Sequence, residues 1–164
     1  MILIPHIIVG ATIGSKLHSI WLIAILSLLS HYILDKIPHW DYTSGGVKNF
    51  LATNQFKYLA VFILKVFIDF FIGFIIIIIM ILNRTLPSDS LKYIFVGFLF
   101  AIMPDITLGA SFLFKNSTFS QKYFAFHKKY LHFKHENEKE GKITFLGLFS
   151  QIVIIAISLL LFFS

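Results

Sequence analysis

Apolar positions along the chain fall into five blocks separated by short polar stretches. The first, Ile7 to Ile13, is short, and Gly10 and Gly14 give it a small-residue face. The second runs from Ile20 to Leu34. Neither reaches the roughly 20 residues that cross a bilayer comfortably, although the second comes close when its flank up to Pro38 is counted. Together they predict an antiparallel helical hairpin turning near Ser15 to Ser19, which brings His6 level with His31. The third block, Tyr58 to Leu82, is the clearest span in the chain, yet it carries Lys65 and Asp69. The fourth, Leu91 to Phe114, is interrupted by Pro104-Asp105 and Gly109, and the fifth, Ile143 to Phe163, holds nothing titratable and reads as an anchor.

Between the last two blocks the period changes. Phe119, Tyr123, Phe126, Tyr130 and Phe133 draw a narrow apolar stripe at helical spacing, with lysines on much of the remainder. The pattern predicts an interfacial amphipathic helix over 116–135. At about 100° per residue His127 flanks the stripe and can face the bundle, whereas His132 and His135 fall on the solvated side with Lys128. Glu136, Glu138 and Glu140 belong to a charged connection. The expected fold is an all-α integral membrane protein, one domain over 1–164, built from the hairpin, about three further membrane helices and the interfacial helix.

Composition agrees with that reading. Apolar residues make up 57% of the chain, charged residues only 13%, and the mean hydropathy of +0.84 lies outside the soluble globular range. There is no cysteine, which excludes disulfides, thiolate metal sites and a thiol nucleophile. The start, Met1 to His6, has neither a basic n-region nor a small-residue cleavage site, so no removable signal peptide is expected. Lysines concentrate in two loops, Lys48 and Lys57 in one and seven between Lys115 and Lys142 in the other, which predicts that this side faces the cytoplasm. Most of the +6 net charge lies there, favouring anionic lipid headgroups as partners, and no nucleic-acid motif is present. Oligomeric state is not specified.

The chemistry gathers where the second block ends, in Ser30-His31-Tyr32-Ile33-Leu34-Asp35-Lys36-Ile37-Pro38-His39-Trp40-Asp41-Tyr42. His31 and Asp35, one helical turn apart, leave the same face. Pro38 predicts a helix end near Ile37, handing His39, Trp40 and Asp41 to a turn. With ~1.5 Å rise per residue and a ~30 Å hydrocarbon core, His6, His31, Asp35, Lys65, Asp69 and Asp105 reach similar depth below the cytoplasmic face. Lys65 and Asp69 are either a self-neutralising pair one turn apart or members of that pocket. Imidazole and carboxylate together suit a divalent metal, zinc foremost, with manganese or iron as alternatives. Such an ion would acidify a bound water for attack on an ester or phosphoester. Asp35 or Asp41 would then orient a ligand histidine or act as base.

His6-Ile7-Ile8-Val9-Gly10, Ser30 to Asp35, Pro38-His39-Trp40-Asp41 and Met103-Pro104-Asp105 resemble small bacterial inner-membrane proteins of the LexA-binding, inner-membrane-associated hydrolase family. The resemblance lies mainly over residues 5–42, with weaker echoes at 97–105 and 126–135. It implies an inner-membrane, metal-dependent hydrolase with ligands at His6, His31, Asp35 and Asp105, and with His39 and Asp41 as further candidates; His127 joins the set from its helix position. The family's His-Arg-Gly-x-Thr-His-Ser segment is absent, and the sole arginine, Arg84, sits in the opposite loop. The expected function is hydrolysis of an ester or phosphoester of a lipid or membrane-associated substrate. The alternatives are a non-enzymatic ion or proton pathway through His31, Lys65, Asp69 and Asp105, or a structural adaptor that docks through the amphipathic helix.

Overall fold

The structure, a computed structural model, describes residues 1–41, 49–50, 52–113, 117–130 and 144–164. These are helical throughout apart from loops, with no strand among the described residues. The principal elements are α1 (Leu3–Lys16), α2 (Ile20–Leu34), α3 (Phe56–Leu82), α4 (Ser90–Leu113), α5 (Thr118–Tyr130) and α6 (Phe145–Phe163). Among the described residues, three helices are long and apolar enough to cross a membrane: α3, the Ser90–Ser111 stretch of α4, and α6. Their outward faces carry large apolar side chains such as Phe67, Phe71, Phe95, Phe149 and Ile152, while His6, His31, Asp35, Asp69 and Gln151 are inside. That polarity is what a bilayer selects as solvent.

The shortest apolar block forms the centre. Helix α1 touches α2, α3, α4 and α6, and Pro5, His6, Ile7, Ile8, Gly10, Ala11, Thr12 and Gly14 along it are buried. Its contact with α4 is backbone on backbone. A β-carbon on Gly10 would come within 2.4 Å of the Gly97 carbonyl oxygen, one on Gly97 within 2.1 Å of the Gly10 carbonyl oxygen, and one on Gly14 within 2.2 Å of the Tyr93 carbonyl oxygen. Between helices with no aqueous driving force, small residues let dispersion act at the shortest range. Towards α6, the Thr12 hydroxyl donates to the Ile8 carbonyl at 2.9 Å and lies 3.2 Å from the Ser158 carbonyl.

Asp69 settles α1 from the third side. Its Oδ2 accepts the Leu3 N–H in the first turn of α1, so α3 supplies the anionic cap that α1 lacks in its own sequence. Lys65, either a partner of Asp69 or a member of the polar pocket by sequence, is exposed on α3.

Helix α2 ends at Leu34 rather than near Ile37. The Asp35 N–H bonds the His31 carbonyl at 3.0 Å, and the chain then tightens through Lys36 N–H to Ile33 O and Ile37 N–H to Leu34 O, both 3.1 Å. Pro38 accounts for this end, because its ring would meet the Leu34 carbonyl in a continued helix and it disfavours helical backbone at Ile37. The turn that follows is clasped by α6, which does more than anchor. Ser150 Oγ donates to the Pro38 carbonyl and Gln151 Nε2 to the Trp40 carbonyl, and Gly147 leaves room for the Trp40 backbone nitrogen, 2.9 Å from where a β-carbon would stand.

Candidate metal centre

The hairpin delivers His6 of α1 against His31 of α2, with the two fully buried imidazoles stacked at 4.2 Å between centroids and 25° between planes. His31 is fixed by its other nitrogen. Pro104 has no N–H to give the Phe100 carbonyl and opens the α4 hydrogen-bond ladder around it. The adjacent Ala101 carbonyl lies 2.7 Å from His31 Nδ1, so His31 donates there.

Nε2 of His31 then points at carboxylates, 3.2 Å from Asp35 Oδ2 and 3.8 Å from Asp105 Oδ1. His6 Nε2 lies 3.3 Å from Asp35 Oδ1. These are ion-pair contacts without hydrogen-bond geometry, and His6 Nδ1 and Nε2, His31 Nε2 and Asp105 Oδ2 are buried and make no hydrogen bond. An imidazole lone pair facing carboxylate oxygens in an apolar interior is repulsive unless a proton or a cation lies between them. One ligand atom from each of His6, His31 and Asp105 falls within 4.8 Å of the others. Ligand atoms about 2.0–2.2 Å from a common ion stand about 3.3–3.6 Å apart in a tetrahedral set, so side-chain rotations would be needed to close this one. The donor set of two imidazoles and a carboxylate fits zinc, manganese or iron, and His31 Nδ1–H to backbone carbonyl is the second bond that metal-binding histidines ordinarily make.

The remaining candidates divide by position. Asp35 is almost fully buried and has both oxygens occupied, Oδ1 also lying 2.9 Å from the Met1 amino nitrogen. It braces the two histidines. Asp41 lies at the rim with its side chain 40% exposed and Oδ2 3.5 Å from the same nitrogen. His39 is half-buried, with Nδ1 2.6 Å from the Ile37 carbonyl, and burial lowers its pKa. It is not in the three-residue group that closes on a metal. His127 lies on α5 but outside the described side chains, and His132 and His135 lie outside the described residues.

Two phenols escaped sequence reasoning. Tyr32 stands edge-on to His31 at 5.7 Å between centroids, and it hydrogen-bonds Tyr123 of α5. Tyr123 in turn donates to the Pro104 carbonyl at 3.1 Å and interacts with Thr107. Burial pushes the Tyr123 phenol up to about 12, so it stays protonated. The aromatic stripe had suggested packing for Tyr123; the hydroxyl is the part that meets the site. The only sequence signal available was a tyrosine where phenylalanines dominate.

Compared with protein-family models, curated proteins and solved structures, the chain matches none. Fold and site therefore define it: an all-helical bundle with three helices able to cross a membrane, enclosing a histidine–aspartate group able to hold a metal ion.

Proposed function

We propose that the protein is an integral membrane hydrolase dependent on a divalent metal, acting on an ester or phosphoester of a lipid or membrane-associated substrate. What carries the reading is His31. Its Nδ1 is committed to the Ala101 carbonyl and its Nε2, fully buried and without a hydrogen bond, faces two carboxylates beside His6, whose nitrogens likewise make none. In this reading His6, His31 and Asp105 hold the ion, zinc first and manganese or iron as alternatives, and Asp35 orients both imidazoles. A bound ion would supply Lewis-acid polarisation of the scissile group. Asp41, the most exposed carboxylate of the set, would serve as the base, with His39 at the rim.

The loop lysines favour a cytoplasmic orientation in a bacterial inner membrane, with anionic headgroups as the partners drawn to that face. The resemblance to the LexA-binding inner-membrane hydrolases implies His6, His31 and Asp105 as ligands too, and would add Asp35 to them.

Elemental mass spectrometry of detergent-purified protein, beside His31→Ala and Asp35→Ala, tests the reading. The expected result is a tightly held zinc, manganese or iron that both variants lose. Metal-free wild type after purification in metal-supplemented buffer would overturn it and favour a proton relay through the same groups.

A further inference from the structure

The hydrolase reading uses nothing from α5, yet α5 reaches the site at one point. Tyr123 places its hydroxyl on the carbonyl of Pro104, the residue preceding Asp105, and on the phenol of Tyr32, the residue following His31. Two helices thus bring two phenols against the two residues that flank the unpartnered edge of the metal centre. Both rings are half-buried, unlike Phe119 and Phe126 on the same helix, which are 67% and 47% exposed and turn outward with Lys122.

Tyr123 donates to the Pro104 carbonyl and shares a hydrogen bond with the Tyr32 phenol, so the protons of this pair rest on neutral oxygens. A charged oxygen is a stronger acceptor than either. Both hydroxyls are therefore held beside the metal centre on acceptors that an anion outcompetes. The outward surface of α5, apolar at Phe119 and Phe126 and basic at Lys122, is of the kind that attracts anionic headgroups.

We propose that Tyr32 and Tyr123 are the anion-binding groups of this site, donating their phenolic protons to the non-bridging oxygens of a phosphate group next to His31 and Asp105. This rests on the hydrolase reading and extends it by choosing phosphoester over carboxylic ester. The phosphate belongs either to a lipid headgroup or to a free phosphorylated solute.

The experiment uses full-length protein in phosphatidylcholine nanodiscs with Mn²⁺ as the probe ion. Mn²⁺ affinity is measured first, then inorganic phosphate affinity from its effect on the Mn²⁺ electron-spin signal, for wild type, Tyr32→Phe and Tyr123→Phe. Mn²⁺ affinity is expected to be unchanged in both variants, while phosphate binding weakens about tenfold in each, as for loss of one hydrogen bond to a charged group. Replacing part of the phosphatidylcholine by phosphatidylglycerol assigns the source: competition with inorganic phosphate identifies a lipid headgroup, and no competition identifies a solute.

Phosphate binding equal in all three proteins, or absent from Mn²⁺-loaded wild type, would overturn the inference and leave the metal reading standing. Failure of wild type to bind Mn²⁺, zinc or iron would overturn the metal reading itself. Thermal unfolding separates a packing role. If phosphate affinity falls only in a variant whose midpoint also falls, Tyr123 merely fastens α5 to α4 and the inference fails.

Discussion

Removing the Asp69 carboxylate should loosen the site without touching a ligand. Asp69 is 6% exposed and accepts the Leu3 N–H, three residues before His6 on the same helix. A hydrogen bond to a buried charged group contributes about 1.5–3 kcal/mol. The charge also complements the α1 dipole, for up to about 2 kcal/mol in a buried geometry. Against these stands the cost of an aspartate in a membrane helix, about 2.5 kcal/mol on insertion scales. When unfolding leaves α3 inserted, that cost is common to both states and largely cancels. Asp69→Ala is therefore expected to destabilise by about 2–3 kcal/mol, and Asp69→Asn, which keeps a neutral acceptor, by about 1 kcal/mol. Detergent-driven unfolding followed by circular dichroism reads these differences. Because α1 then sits less firmly against α3, metal affinity should fall about tenfold in Asp69→Ala, the lower end of what losing an orienting partner costs. Lys65→Ala should be neutral. Were Lys65 the counter-ion of Asp69, removing both would cost less than removing Asp69 alone; that result, or an unchanged stability of Asp69→Ala, refutes the capping argument.

Other consequences are as direct. Gly97→Ala places a methyl group within 2.1 Å of the Gly10 carbonyl oxygen, so α1 and α4 must separate; a loss of about 1–3 kcal/mol is expected in the same unfolding assay. Gln151→Leu deletes the donor to the Trp40 carbonyl, and hydrogen exchange over residues 38–41 should accelerate while the metal content stays at the wild-type level. Metal affinity should fall as pH is lowered, because the ligand imidazoles must be free of any proton on the binding nitrogen; isothermal titration at several pH values reads the slope.

Much of this arrangement was legible in order along the chain. A turn centred near Ser15 to Ser19 is enough to pair His6 with His31, and counting rise per residue is enough to bring Asp105 to their depth from the other side. What escaped was every bond whose second partner is backbone. Asp69 could be placed at the right depth, but nothing in the letters says that its partner is the N–H of Leu3, and a lysine one turn away offered a plausible decoy. The Ala101 carbonyl is equally silent, although Pro104 advertises that carbonyls nearby are available. Glycines announce close approach without naming the neighbour: Gly10 and Gly14 were visible as a face, their fit to Gly97 and Tyr93 was not.

The same unpartnered atoms that point to an ion also predict how stability depends on it. Each buried polar group without a partner costs about 1–3 kcal/mol, and four such atoms crowd this centre. Without metal, His31→Ala loses the Ala101 bond and the stack on His6 but also relieves the repulsion between Nε2 and two carboxylates, so the net change should be small. With metal the native state alone gains binding free energy, about 2.7 kcal/mol at a hundredfold excess over Kd, and the variant forfeits it. The destabilisation of His31→Ala should therefore appear in zinc- or manganese-supplemented buffer and nearly vanish in chelator. Equal destabilisation in both buffers would mean that His31 serves packing through its carbonyl bond, and that the facing carboxylates are balanced by protons rather than by an ion.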